Sequence, residues 1–516
     1  MILSRKKIKI FNTTLSNIGP IWIILGIGLI ALNCSKKVPE QPDQLVLAKI
    51  GDRILTVEEF LKRSEYNIRP VYCKMDNYIH KKIVLNSLVA EKLFAFEAGE
   101  NNQLTKSPAF QNYIKGRKEQ DMRKWLFKEE GLEKAQVDTN KIKKAFRYAG
   151  REYEIAYFTV NSDSVAKDIH NKINSKNYTF EKVFNEILPL GKLPKRTVQW
   201  EKEENPVIHE ALFSDDLKVG QVIGPLNAED KVYTTIKILS WTDKPAITDE
   251  QIKQRWRDVK QKLLRQESNK VYTKFVLNLM KGKEVKFNGD VLFKLADIVK
   301  PFYLFTSSDK EEAFKQGYWE KGKQDKIPKD EIENNFKEIN DQPLLTINGQ
   351  IWTVANLRDE ISLHPLVFRK RNINNSEFPE QLKFAIVDLI RDKYITKEAY
   401  QRGYDKINTV IQDTDMWQDY ALSLFQREKY LESVGNEYDF STDYMKAINK
   451  YLNAYVDSLQ VKYSDQIEIN MKIFEKLKLT RIDMFVMDQN VPYPTVVPGF
   501  PILTTEHKLD YGREMP

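Results

Sequence analysis

The chain has 516 residues, 81 Lys+Arg against 73 Asp+Glu for a formal charge of +8, 41% hydrophobic residues, 20 Gly and 20 Pro. That length predicts several domains, and the apolar share supports real cores while excluding a collagen-like or low-complexity chain. So small a charge excess excludes a dedicated nucleic-acid binder, and two Cys with five His leave little for a disulfide framework or a structural zinc site.

Arg5-Lys6-Lys7-Ile8-Lys9 forms a positive segment, followed by an apolar run from Ile18 to Leu32 and then Cys34. The run is short for a membrane span of about 20 residues and suits a signal-peptide core. With Cys directly after it, residues 1–33 resemble a bacterial lipoprotein signal, which implies that Cys34 is acylated and becomes the mature N-terminus. Asn33 and Ala31 depart from that pattern, and a plain signal anchor with Cys34 incidental is the other reading. Residues 34–44 are polar and read as a tether. The resemblance implies a periplasm-facing protein held by lipid, to the outer membrane of a Gram-negative-type bacterium. An acylated Cys34 leaves Cys73 without an intramolecular disulfide partner.

Lys49-Ile50-Gly51-Asp52-Arg53-Ile54 predicts two strands about a tight turn, and Thr56 with Glu59 has capping-box spacing for the helix that follows. The pattern returns as Thr346-Ile347-Asn348-Gly349-Gln350-Ile351, with Thr353 at the next helix start. A long helix follows each copy. Leu85, Val89, Leu93 and Phe96 share a face of the first, and Ile386, Ile390, Tyr394 and Lys397 are their counterparts, with Glu91-Lys92 matching Asp392-Lys393. Two copies make a duplicated module rather than a solenoid.

Between the copies, residues 153–160 form a β-rich run. Two helical segments, a strand at Thr197 to Trp200, a short helix around Ile208 to Phe213, the turn Gly220 to Pro225 and a strand at Val232 to Leu239 complete a β-α-α-β-α-β unit. Thr248 and Gln251 then cap another helix. Residues 301–343 are charged and Pro-punctuated, a linker. Residues 488–516 carry Pro492, Pro494, Pro498 and Pro501 and read as an extended tail.

The opening unit, Val46 through Glu91-Lys92-Leu93 and Glu97-Ala98, resembles the N-terminal chaperone module of the SurA, PrsA and PpiD type of extracytoplasmic folding factor. Residues 151–243 resemble that family's parvulin domain, most specifically in Asn205-Pro206-Val207-Ile208-His209-Glu210-Ala211-Leu212-Phe213 and Leu217-Lys218-Val219-Gly220 through Pro225. The implied fold is α+β: mainly helical chaperone modules flanking one small parvulin-like domain. The segments are a module at 45–150, the parvulin-like domain at 151–243, a helical extension at 244–300, the linker at 301–343 and a second module at 344–487.

The resemblance implies a chaperone for unfolded or nascent extracytoplasmic polypeptides, whose exposed apolar segments and strand edges aggregate unless covered. It also implies peptidyl-prolyl isomerase chemistry, but this sequence departs from it where the activity resides. Tyr157 and Thr234 stand at the positions of the two strand His residues, Glu204 at the proline-pocket Met and Ile208 at its Phe, while Lys195-Arg196 replaces a Gly-Gly turn. The expectation is a catalytically weak or inactive domain. An active isomerase and a scaffold subunit of an envelope secretion or assembly machine are the alternatives. His80, His170, His209, His364 and His507 have no ligand spacing and read as helix-surface or capping residues; no metal or cofactor is expected, and no phosphate-cradling loop occurs.

Overall fold

The computed structural model describes residues 45–175, 178–189, 191–203, 205–229, 232–304, 336–370, 373–480 and 495–515. The signal segment, Cys34 and the tether, Glu204, most of the expected linker and the start of the Pro-rich tail lie outside the described residues. The fold is α+β, with long helices around three small sheets.

The first copy opens with the hairpin β1 (Val46–Ile50) and β2 (Arg53–Thr56), then α1 (Val57–Glu65), α2 (Tyr78–Ala98) and α3 (Pro108–Phe127). After α4 (Thr139–Tyr148) comes the unit expected from the sequence to be parvulin-like: β3 (Arg151–Val160), α5 (Asp163–Asn174), α6 (Phe180–Ile187), β4 (Lys195–Gln199), α7 (Pro206–Phe213), β5 (Val222–Glu229) and β6 (Val232–Asp243). The extension is α8 (Asp249–Leu279), β7 (Val285–Phe287) and α9 (Gly289–Tyr303). The second copy repeats the opening as β8 (Pro343–Ile347), β9 (Gln350–Thr353), α10 (Val354–Leu363), α11 (Phe378–Gln401) and α12 (Asn408–Ser433). It closes with α13 (Phe440–Ala447), α14 (Asn453–Lys462), β10 (Ile467–Ile469), α15 (Met471–Lys476) and β11 (Arg513–Glu514).

The duplication is visible residue by residue. Ile50 pairs with Arg53 across the first turn and Ile347 with Gln350 across the second. Both turns require left-handed backbone, at Gly51 (φ 59°) and at Asn348 (φ 49°) with Gly349 (φ 85°), which Gly and Asn adopt most readily. Thr56 and Thr353 then cap α1 and α10 through the N–H groups of Glu59 and Asn356. Only the second is a full capping box; the Glu59 side chain turns inward to Lys92 instead of back to its own cap.

A second repeat was hidden in the sequence. β7 leads through Asn288 into α9, and β10 through Asn470 into α15; each Asn accepts from the N–H three residues on, Val291 and Ile473. Each closing unit joins the other copy. β7 pairs with β8, and β10 pairs with β1. The third helices cross over in the same way: α12 packs on α2, while α3 packs on α10 and α11. The sequence segments and the packed lobes are therefore different objects. The core of lobe one joins Leu47, Leu85, Leu88 and Phe94 to Leu431, Leu452, Val456, Ile467 and Phe474. The core of lobe two joins Val291 and Leu295 to Leu344, Leu357, Phe378 and Ile386.

The reason lies partly in α2. Val84, Leu88, Ala90 and Phe94 are buried along with Leu85, Val89 and Leu93, so apolar side chains point to several sides of the helix rather than to one face, and it must be enclosed. α12 and α14 supply the cover. The tail supplies more: from residue 495 to 512 it is neither helix nor strand, yet Phe500 and Leu503 are buried in lobe one. α11 is different, with Ile386 and Ile390 buried and Lys397 exposed.

Gly116 marks the tightest crossing, where α3 passes the end of α10. A Cβ there would overlap the carbonyl oxygen of Leu363. A Gly-to-Ala change inside a helix ordinarily stabilises by about 1 kcal/mol. Gly116→Ala is expected to reverse that sign and destabilise by about 2 kcal/mol through overpacking, read from chemical denaturation; a stabilised variant would show that α3 does not cross there.

Candidate functional site

The parvulin-like sheet has the order β4-β3-β6-β5, fully antiparallel. α5 and α6 cover one face through Phe158, Ile169, Phe180 and Phe184; α7 and α8 cover the other through Tyr153, Ile208, Leu212, Phe213, Val259 and Leu263. Cross-strand partners point to the same side of a sheet. Tyr157 opposes Ile236 and Thr159 opposes Thr234, so Tyr157 and Thr234 share the face that α7 covers. Tyr157 is half-buried, Thr234 buried, and Ile208 buried in the same apolar cluster that Tyr157 and Leu226 border. Three of the four expected pocket residues thus lie on one side of the sheet, and the fourth, Glu204, lies outside the described residues.

Sequence reasoning missed the charged pair beside them. Arg196 stands over the Tyr157 ring, its guanidinium carbon 5.5 Å from the centroid, and its Nη2 donates to Glu203 Oε2 at 2.7 Å. Glu203 is buried, and its other oxygen accepts from the N–H of Asn205, the α7 cap. The expected replacement of a Gly-Gly turn by Lys195-Arg196 needs correction: both residues are the opening of β4, paired with Ala156 and Ile155. In-strand placement is what aims Arg196 at Tyr157. The ion pair puts fixed charge beside Tyr157 on the face that α7 covers.

His209 also departs from the surface position expected of it. It is buried between Trp200 and Phe213, with ring centroids 4.3 and 5.0 Å away, and Gln266 Nε2 lies 3.3 Å from its Nδ1. Burial first, and then Lys262, pushes its pKa down to about 3, so the ring is neutral across the physiological range. It packs α7 against α8 through Gln266. His364 is the C-cap of α10, and His80 accepts from the N–H of Met75. No group of three metal-ligating side chains converges among the described residues.

A second candidate runs along α3, where the copies interlock. One cavity of about 480 Å³ lies between α3, β9, α10 and α11, lined by Trp352, Tyr394, Ile390, Lys393 and Lys397. Another of about 460 Å³ lies further along α3, lined by Phe110, Ile114, Lys118 and Gln418. Both include Lys115 and Tyr400, so they adjoin there and together line a grooved stretch of α3. Its floor is polar: His364 Nε2 lies 2.6 Å from Glu119 Oε2, and the Tyr400 hydroxyl donates to Oε1 at 3.1 Å. Burial works against ionisation of Glu119, but the His364 and Tyr400 bonds hold its carboxyl below the usual range. Thr396, the hydroxyl nearest in kind to a nucleophile, accepts from Arg123 instead of facing His364. The cluster ties α3 to α10 and α11; around it the groove offers aromatic faces and lysine stems.

No family model and no curated protein matches the chain. Among solved structures, the crystal structure of foldase protein PrsA from Streptococcus pneumoniae is similar at 14% identity, covering 45% of this chain and 93% of that one, with a TM-score of 0.18.

Proposed function

We propose that the chain is a lipid-anchored extracytoplasmic chaperone that covers apolar segments of unfolded outer-membrane or secreted polypeptides, its parvulin-like domain serving as a binding platform without isomerase catalysis. The groove along α3 carries this reading. It joins two cavities end to end and presents Trp352, Tyr394, Tyr400 and Ile114 beside Lys115, Lys118 and Lys397. An extended segment can lie along such a groove with its apolar side chains on the aromatic faces and without sequence selection.

The test is suppression of aggregation of a chemically unfolded client by the full chain, followed by light scattering. The double variant Ile114→Ser/Trp352→Ala is expected to weaken client affinity about tenfold, since two apolar anchors of roughly 0.7 kcal/mol or more each are removed. Unchanged suppression, or crosslinked co-purification of one stoichiometric partner in place of many clients, would favour the scaffold alternative.

The isomerase expectation is separable. X–Pro rotation faces a barrier of about 20 kcal/mol, and lowering it needs a dry slot and polar groups aimed at the twisted amide. Tyr157 and Thr234 offer hydroxyls, but the Arg196–Glu203 pair occupies the approach. The full chain is expected to accelerate isomerisation of a proline peptide by less than about twofold over the uncatalysed tens of seconds. A larger acceleration that Tyr157→Phe abolishes would instead assign the activity to this domain.

A further inference from the structure

The loop between α1 and α2, together with the first turn of α2, presents apolar side chains to solvent in a way nothing in the client groove explains. Ile68 is 65% exposed and Val71 85%; Met75, Tyr78 and Ile79 are exposed as well. The loop is not slack. Asn67 donates to the Pro498 carbonyl at 2.6 Å, buried Arg69 to the Thr480 carbonyl at 2.6 Å, and Lys81 to the carbonyls of Phe474 and Leu477 at 2.9 Å each. Cys73 is buried beneath it. A backbone this well tied holds five apolar side chains outward, which a soluble surface ordinarily avoids.

Two observations say what covers them. The first is charge. Lys74 lies within the loop, and Lys472, Lys476 and Lys478 are exposed on and just after α15, whose Phe474 ring lies 6.3 Å from Tyr78. Asp76 and Glu475 are the acidic residues interspersed among them, so the apolar tip has a net basic border. The second is the place where the chain enters the described fold. Leu45, its first residue, lines a cavity of about 640 Å³ together with Tyr66, at the start of this loop. From Cys34 to Leu45 the chain reaches at most about 40 Å when extended.

We infer that Ile68, Val71, Met75, Tyr78 and Ile79 form a membrane-docking surface that inserts into the anionic lipid interface beside the anchor. Apolar tips with a tyrosine and bordering lysines match that interface, where rings sit at headgroup level and lysines reach the phosphates. Acyl chains alone tether without orienting; the loop fixes which face of lobe one meets the lipid. The inference rests on the anchor reading at Cys34.

The second copy supplies an internal control. Its corresponding loop, between α10 and α11, exposes Val367 at 76%, but Leu366 beside it is buried, and Arg369 and Lys370 are paired with Asp388 and Glu377. The experiment places an environment-sensitive thiol label at Val71→Cys or Val367→Cys in the full chain purified from membranes and bound to anionic vesicles carrying brominated acyl chains. Burial pushes the Cys73 thiol up to about 12, so it stays unlabelled at neutral pH, and an acylated Cys34 has no free thiol. Quenching of about twofold or more is expected at position 71, with none at 367. A chain that fails to float with vesicles, or that takes up a second label at Cys34, overturns the anchor reading. A chain that floats but shows no quenching at 71 overturns the docking inference alone. Quenching that disappears when an unfolded polypeptide is added, with the polypeptide crosslinking at 71, assigns the surface to clients and also overturns docking.

Discussion

Replacing Asp419 by alanine is expected to lower the unfolding free energy by about 3–5 kcal/mol, because it takes a buried counter-charge from Lys92 and from half-buried Arg53. Asp419 is carried into lobe one by α12, is 1% exposed, accepts from Lys92 Nζ at 2.8 Å and pairs with Arg53. Lys92 also meets Glu59 at 3.0 Å, and next to it Arg63 and Glu91 form a two-pronged pair at 2.7 and 2.8 Å with no exposure on either side chain. Lys62 and Asp413, 3.0 Å apart, extend the contact along α12. These charges fix where the exchanged helix lies. Denaturant unfolding measures the loss, and the triple variant Arg53→Met/Lys92→Met/Asp419→Leu should recover most of it, since charges that pair with one another can be replaced together by apolar side chains. A single variant costing less than about 1 kcal/mol would mean that water reaches the cluster.

The same cluster sets a pH dependence. Burial, outweighing Lys92 and Arg63, pushes the Glu59 carboxyl up to about 7. The folded chain keeps a proton that the unfolded chain releases near the ordinary value of 4.5. Folded Glu59 therefore binds more protons than unfolded Glu59 between those two points. Its contribution to stability falls as pH rises from about 4.5 to about 7 and is constant above. Glu59→Gln should flatten that part of the stability–pH curve; an unchanged slope between pH 5 and pH 7 would count against it.

Glu59, Glu91 and Lys92 also mark where sequence reading stops. The match of Glu91-Lys92 to Asp392-Lys393 is plain in the chain, as are both hairpins and both Thr caps. Yet Glu91 and Lys92 are buried, while Lys393 lies on the surface and pairs with Glu360. The difference comes from α12, more than 300 residues away, which covers α2 and leaves α11 open on that side; periodicity within a helix carries no record of which distant helix covers it. The exchange of closing strands had a legible trace, the shared strand, Asn cap and helix at Val285 and at Ile467, but nothing local says which hairpin a three-residue strand will join. In the parvulin-like domain, side-chain alternation along β3 and β6 put Tyr157 and Thr234 on one face, as the strand pattern allowed. Arg196 and Glu203 were not legible there, because a turn and the first residues of a strand have the same composition until the register with β3 is known.

Deleting residues 495–516 is expected to unfold lobe one, although the segment has almost no secondary structure. Phe500 and Leu503 are buried in the core that Leu47, Phe60 and Leu459 share. Removing a single buried Leu costs about 2–5 kcal/mol, so the two together rival the 5–15 kcal/mol of a whole domain. The polar losses are as specific. The Tyr511 hydroxyl donates to Asn86 Oδ1 at 2.5 Å, the Asn86 amide donates to the Glu506 carbonyl at 2.8 Å, and Asn86 is buried in the middle of α2. Asn453 on α14 holds Thr504 and Thr505 by three further bonds, and buried Arg63 donates to the Gly499 carbonyl at 2.8 Å. Without the tail, Asn86, Asn453 and Arg63 lose partners at buried or half-buried positions, and β10 loses its parallel neighbour β11. Leu503→Ala alone should cost about 2–5 kcal/mol, and Tyr511→Phe only about 1 kcal/mol, since Asn86 Oδ1 loses one bond but still accepts from Gln460 Nε2 at 2.8 Å. Calorimetry of the truncated chain should lose one transition, that of lobe one, while the parvulin-like domain keeps its own, since its two cores draw on no residue beyond Leu263. An unchanged first transition after truncation would show that the apolar sides of α2 are closed by α12 and α14 alone and that the tail lies on the lobe without completing it.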